Sequence, residues 1–211
     1  MITFISEASG EKTATMPAHQ AGDFIFVWAY RDNSVTPPVA PSGEGWINLH
    51  NSTGSNTNSG LLAYKVATSS SETVGTFLVA TTVNIVVYRP SAYVALSIGS
   101  MATQGGTGSV VYPAINLQNK DNTSWVLAFA GHRSTNTTLQ TPPPGMVLRA
   151  NTVDASDETA VFDTDGAVNS WTSKTVAMTG DSSGWRTVVM ELKATATVVG
   201  RRRSTWISLI D

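Results

Sequence analysis

Gly180-Asp181-Ser182-Ser183-Gly184 satisfies the G-x-S-x-G spacing of a nucleophile elbow, the strained turn that lifts a serine hydroxyl above a sheet for acyl transfer. An elbow needs a strand before it and a helix after it. The residues that follow, Arg186 to Leu192, alternate as a strand does, and no His/Asp pair stands in a recognisable context. The segment therefore reads as a hairpin turn, and no catalytic residue is assigned. A second group of chemistry-bearing residues is the acidic stretch Asp154, Asp157, Glu158, Asp163 and Asp165. Asp163-Thr164-Asp165-Gly166 begins like a calcium loop, but the distal bidentate glutamate that such a loop needs is missing. A solvated turn is the expected reading, with a weak cation site at Asp163 and Asp165 as the alternative and no other metal site.

The three histidines, His19, His50 and His132, share no metal-ligand spacing. Tryptophans are candidates for stacking on sugar rings. Trp28 and Trp125 lie in apolar runs, whereas Trp171 and Trp185 flank polar, turn-like segments. Trp171 and Trp185 are the tryptophans expected to be exposed and are candidates for ligand binding; His132, at a strand end, reads as a loop-edge polar residue, with a ligand or subunit contact as the alternative. At the far end, Arg201-Arg202-Arg203 precedes an apolar peptide containing Trp206, Ile207, Leu209 and Ile210. Such a peptide is costly to leave in water, so it is expected to pair as an edge strand of its own domain or to dock on another subunit. Arg201, Arg202, Arg203, Trp206, Ile207, Leu209 and Ile210 are the candidate assembly residues.

The elements that position these residues are short. Apolar runs rich in Val, Ile, Thr and aromatics alternate with Gly, Pro, Asn and Ser clusters, which predicts strands at 2–6, 12–16, 23–31, 45–49, 60–67, 73–79, 83–89, 92–99, 108–112, 124–130, 146–150, 158–163, 173–179, 185–193 and 204–210. No window carries a capped helical period, so very little helix is expected. The runs 24–30 and 125–130 are apolar in both side-chain directions and are expected in central strands.

Those two runs also reveal a repeat. Asp23-Phe24-Ile25-Phe26-Val27-Trp28-Ala29-Tyr30 returns as Ser124-Trp125-Val126-Leu127-Ala128-Phe129-Ala130-Gly131, a step of 101 from Phe24 to Trp125. Gly45-Trp46 returns at Gly145-Met146, a step of 100, and Asn84 to Arg89 returns at Arg186 to Glu191, a step of 102. So long a unit is not a solenoid repeat. It predicts a jelly-roll-like antiparallel β-sandwich with internal duplication: a first half at 1–100, a second at 101–193 and a C-terminal arm at 194–211.

Composition narrows the function. The 211 residues are 41% apolar but only 13% charged, with a net charge of −2 and no cysteine. No disulfide, thiolate metal site or cysteine nucleophile can form. The absence of a broad cationic field argues against nucleic acid as a partner. Met1 to Glu7 lacks the basic and long apolar regions of a secretion signal, and no run is long enough to insert in a membrane.

Gly22-Asp23, Gly45-Trp46, Tyr64-Lys65-Val66-Ala67-Thr68, Val87-Tyr88-Arg89 and Gly131-His132-Arg133-Ser134, followed through about residues 15–193, resemble β-sandwich proteins encoded in tailed-bacteriophage structural gene clusters. The resemblance implies a non-enzymatic virion part without cofactors, made in the host cytoplasm: a tail tip or fibre adhesin, or a capsid decoration protein. Its expected partners are other virion proteins, further copies of itself in a trimer, and a host-surface glycan. A carbohydrate-binding β-sandwich module is the alternative.

Overall fold

Strand-forming residues separated by turn-forming clusters give an antiparallel β architecture. The computed structural model describes residues 1–53, 57–134, 138–178 and 183–197. The first half supplies β1 (Ile2–Glu11), β2 (Phe24–Arg31), β3 (Ile47–Ser52), β4 (Ser59–Val66) and β5 (Thr82–Pro90). The second supplies β6 (Val94–Thr107), β7 (Val110–Tyr112), β8 (Trp125–His132), β9 (Val147–Val153), β10 (Glu158–Asp163), β11 (Lys174–Val176) and β12 (Gly184–Ala196). Among the described residues the only helical turn is a 3₁₀ turn at Thr138–Gln140.

Each half builds one whole sheet. The first has the order β1-β5-β2-β4-β3 and the second β6-β12-β8-β10-β9, all pairs antiparallel. With β7 and β11 set aside as a separate two-stranded sheet, both orders read first, fifth, second, fourth, third within their half. The sheets stack with β5 against β9 and β10, β1 against β9, and β4 against β12. Fifth strand on fourth and fourth on fifth is the reciprocity of a pseudo-twofold axis. The chain crosses between sheets at Ser91–Tyr93, so the expected boundary at residue 100 falls inside β6, and β12 runs beyond the expected end at 193.

Both faces of each sheet are covered, which is why β2 and β8 are apolar in both directions. Between the sheets lie Phe26, Trp28, Tyr30, Val86, Tyr88, Leu127, Phe129, Val161, Val188 and Met190. Outside the first sheet, Ile25, Val27, Ala29, Ile85 and Val87 are capped by Val74, Phe77 and Ala80 from the β4–β5 connection. Outside the second, Val126, Ala128, Ala130, Phe162 and Val189 are capped by Tyr112, Ile115, Leu139, Trp171 and Val176.

This covering role corrects two expected strands. Residues 12–16 and 73–79 form no ladder; of these only Leu78 bridges, to Val39. Val74 and Phe77 insert into the outer core and Ala14 and Met16 pack against it, while Leu78 and Val79 face solvent. Carbonyls of these segments serve other groups, as when Thr73 O accepts from Lys65 Nζ at 2.7 Å. The predicted strand at 204–210 lies outside the described residues.

Close packing at the seam depends on two glycines. Gly60 lies under the indole of Trp28, and Gly131 under the ring of Tyr30. A Cβ at either position would collide with the ring. Trp28 Nε1 donates to Ala130 O of the opposite sheet at 3.0 Å, fixing the indole over its glycine.

Candidate functional site

The residues with the strongest chemistry gather where the two sheets meet, not in a surface cleft. At one end of the sandwich, reached by the C-termini of β2 and β8 and the N-termini of β4, β5, β10 and β12, lie Tyr30, Asp32, Asn58, Thr81, Arg133, Asp157 and Arg186. Arg133 of the second half donates Nε to Asp32 Oδ1 of the first at 2.6 Å, and Arg186 Nε donates to Asn58 Oδ1 at 2.9 Å. Thr81 donates its hydroxyl to Asp157 across the same seam. Asn84 bridges two second-half residues, donating to Thr159 Oγ1 at 2.7 Å and accepting from Thr152 Oγ1 at 2.8 Å.

Asp157 is fully buried, and its Oδ1 has no hydrogen-bond partner among the described residues. Burial pushes its carboxyl up to about 8; the Thr81 hydroxyl opposes the rise, while Asp154 and Asp32 add to it. Burial also raises the Tyr30 phenol, with the Asp157 and Asp32 charges reinforcing it, and lowers the Arg186 guanidinium. The end of the seam is therefore a clasp in which the buried Asp157 and two arginines hold loops of both halves around the Tyr30 phenol.

Further along the seam, Asp163 accepts from Arg149 Nε and from the Tyr88 hydroxyl, both at 2.8 Å, while Arg149 also pairs with Asp165 and lies 4.5 Å over the Phe4 ring. This corrects the cation-loop alternative at Asp163 and Asp165: a guanidinium stands where a metal would, and Asp163 Oδ1 accepts from the Asp165 amide. Among the described residues no group of three or more His, Asp or Glu side chains could hold a metal ion.

The expected sugar platforms are corrected as well. Trp171 is only 7% exposed and Trp185 only 2%. Trp171 donates Nε1 to Pro113 O at 3.1 Å and is capped by Lys174 at 5.4 Å, so its polar neighbours turn outward while its ring closes the outer core. Trp185 lies on β12 directly opposite His132 and Gly106, with its ring over Gly106. His132 is itself buried, flanked in the ladder by Glu158 and Trp185. Glu158, raised by burial, accepts from Leu139 N at 2.9 Å and Asn151 Nδ2 at 3.2 Å.

The serine turn leads from Gly184 into a strand, not the helix that an elbow needs; Gly180, Asp181 and Ser182 lie outside the described residues. So do the candidate assembly residues Arg201, Arg202, Arg203, Trp206, Ile207, Leu209 and Ile210.

Two features were missed in sequence. Glu191 sits in an apolar strand yet accepts from Ser100 N at 3.1 Å, Gln118 N at 2.8 Å, Asn119 N at 3.0 Å and Ser124 Oγ at 2.6 Å. Burial alone would raise its carboxyl, but the four donors outweigh it and hold the pKa below the ordinary value. A group depressed in this way contributes stability above its unfolded pKa and loses it as pH falls. Glu191→Gln is expected to cost on the order of 2–3 kcal/mol at neutral pH and much less in acid, where the wild-type group is protonated too. Urea denaturation at two pH values measures this, and an equal cost at both would refute it.

The second missed feature is a largely apolar cavity of about 540 Å³ at the opposite end of the seam, lined by Met1, Ile2, Val94, Trp125, Ala167, Ala194 and Ala196 together with Asn122, Thr123, Asp165 and Gly166. The only sequence signal for it is indirect, in the small residues Ala167, Ala194 and Ala196, which leave space where larger side chains would fill it.

The motifs that carried the family resemblance also meet. Asp23 and Arg89 form a bidentate pair at 2.7 Å, joining the start of β2 to the end of β5. Lys65 Nζ lies 4.8 Å over the Trp46 ring and donates to Glu44 O at 3.0 Å, while pairing with Glu72 at 3.2 Å. Comparisons with protein-family models, with curated proteins and with solved structures found no match.

Proposed function

We propose that this chain is a non-enzymatic structural protein of a tailed-phage particle, placed in a tail tip or fibre or on the capsid surface, and working as a rigid building block that assembles with copies of itself. The observation that carries this reading is how the motif residues are used. Asp23 with Arg89, and Lys65 with Trp46 and Glu72, are internal clasps. The perturbed acids Asp157, Glu158 and Glu191 likewise brace loops and sheets. Residues that look chemical in sequence thus serve rigidity. The burial of Trp171 and Trp185 counts against the carbohydrate-binding alternative, which needs them exposed.

The shared strand order of the two sheets supports duplication of one module. Its outer strands, β1, β3, β6 and β9, are sheet edges through which copies can join, with the C-terminal arm as the second joining element. The assembly proposed is closed and cyclic, with three copies expected.

Light scattering of the full chain beside a truncation ending at Thr197 tests this. The cut belongs there because β12 runs to Ala196 and Thr197 N still donates to Tyr93 O at 2.8 Å. A discrete oligomer for the full chain that falls to monomer on truncation is the expected result. A monomer in both cases would overturn assembly through the arm.

A further inference from the structure

We propose that the apolar cavity at the seam's end is the seat of the C-terminal segment Trp206 to Ile210 of a second copy of this chain. The inference rests on the assembly reading and names its acceptor. Apolar surface left open to water is unfavourable at roughly 25 cal/mol per Å², and this end of the molecule carries such surface: Met1, Val94, Ala167 and Ala196 keep exposure around about 540 Å³ of space that is also lined by the buried Ile2, Trp125 and Ala194 and by the polar Asn122, Thr123 and Asp165. The same chain carries an apolar segment beyond its last described residue, Trp206-Ile207-Ser208-Leu209-Ile210. One seat and one segment per chain is the stoichiometry that lets a ring close with none left over.

The point of departure favours a neighbour over a return to the same chain. Ala194 and Ala196 form part of the cavity wall, and Thr197 extends the β12–β6 ladder by donating to Tyr93 O. Thr197, the last described residue, therefore still continues the strand pairing. A return would need a reversal that includes Arg201-Arg202-Arg203, three adjacent like charges. The twelve steps from Thr197 to Leu209 span at most about 40 Å, enough to cross onto an adjoining subunit.

The absence of cysteine gives a clean test. Two full-length variants, Ala167→Cys at the exposed cavity rim and Leu209→Cys in the segment, are mixed and oxidised, and linked peptides are identified by mass spectrometry. The expected result is a disulfide between chains joining positions 167 and 209, lost when Val35→Cys, exposed at the opposite end, replaces the rim variant. A doubly substituted chain that closes on itself, with no product from the mixture, would overturn the second copy as occupant. No 167–209 link in either experiment would overturn the seat itself. If light scattering still shows an arm-dependent oligomer in that case, the assembly reading stands with a different acceptor.

Discussion

Replacing Asp157 with asparagine is expected to stabilise the protein, by on the order of 5 kcal/mol above about pH 8 and by almost nothing near pH 4. Asparagine copies the neutral acid in shape and keeps an oxygen for the Thr81 hydroxyl. In the folded chain burial holds the Asp157 proton up to about pH 8, whereas an unfolded aspartate releases it near about 4. Between those limits the folded state binds the extra proton, so stability falls as pH rises, by roughly 1.4 kcal/mol per unit over about four units. Above the upper limit the loss is complete and constant. Urea titrations of wild type and Asp157→Asn across this range give the difference directly, free of the other ionisable groups. A difference that stays flat with pH would show that Asp157 is charged in the fold and that the clasp is built otherwise.

The second large effect is expected at Asp163. Removing its carboxylate strands the Tyr88 hydroxyl at the seam and leaves the Arg149 guanidinium with the exposed Asp165 as its remaining carboxylate partner, so Asp163→Ala should cost about 2–3 kcal/mol. The double variant Arg149→Leu, Asp163→Leu should recover most of that, because it removes the buried carboxylate and the guanidinium together and leaves only the exposed Asp165 without its partner. Chemical denaturation of the single and double variants forms the test. A single-variant loss below about 1 kcal/mol would mean that the triad contributes little to holding the sheets together.

Much of the architecture could be read from sequence because it is written in local patterns. The runs 24–30 and 125–130 are apolar in both directions, and only a strand covered on both faces uses them so. What stayed hidden depends on contacts between residues far apart in the chain. Trp171 looks exposed among Asn169, Ser170, Thr172 and Ser173, and its burial follows only once residues 110–117 fold over the second sheet. Residues 73–79 have strand composition, but their neighbour is the outer face of a sheet instead of an edge. Glu191 occupies the position that an alternating strand assigns to either face. Its role depends on amides from residues 100, 118 and 119, which no local pattern places beside it. The seam residues fail to stand out for the same reason: Asn58, Thr81 and Arg133 are ordinary loop residues until the opposite sheet arrives.

Tyr30 and Gly131 occupy equivalent places in the two halves and touch across the seam, the large ring of one filling the space that the other leaves. Two first halves brought together would set tyrosine against tyrosine, and two second halves would leave a void. The difference between tyrosine and glycine at this one place makes the two facing sheets unlike partners. Each sheet is now specific for the other and poorly matched to itself, so sheet pairing is directed within one chain and not toward its neighbours. Any contact with another chain is thereby left to other surfaces, where it can change without disturbing the fold.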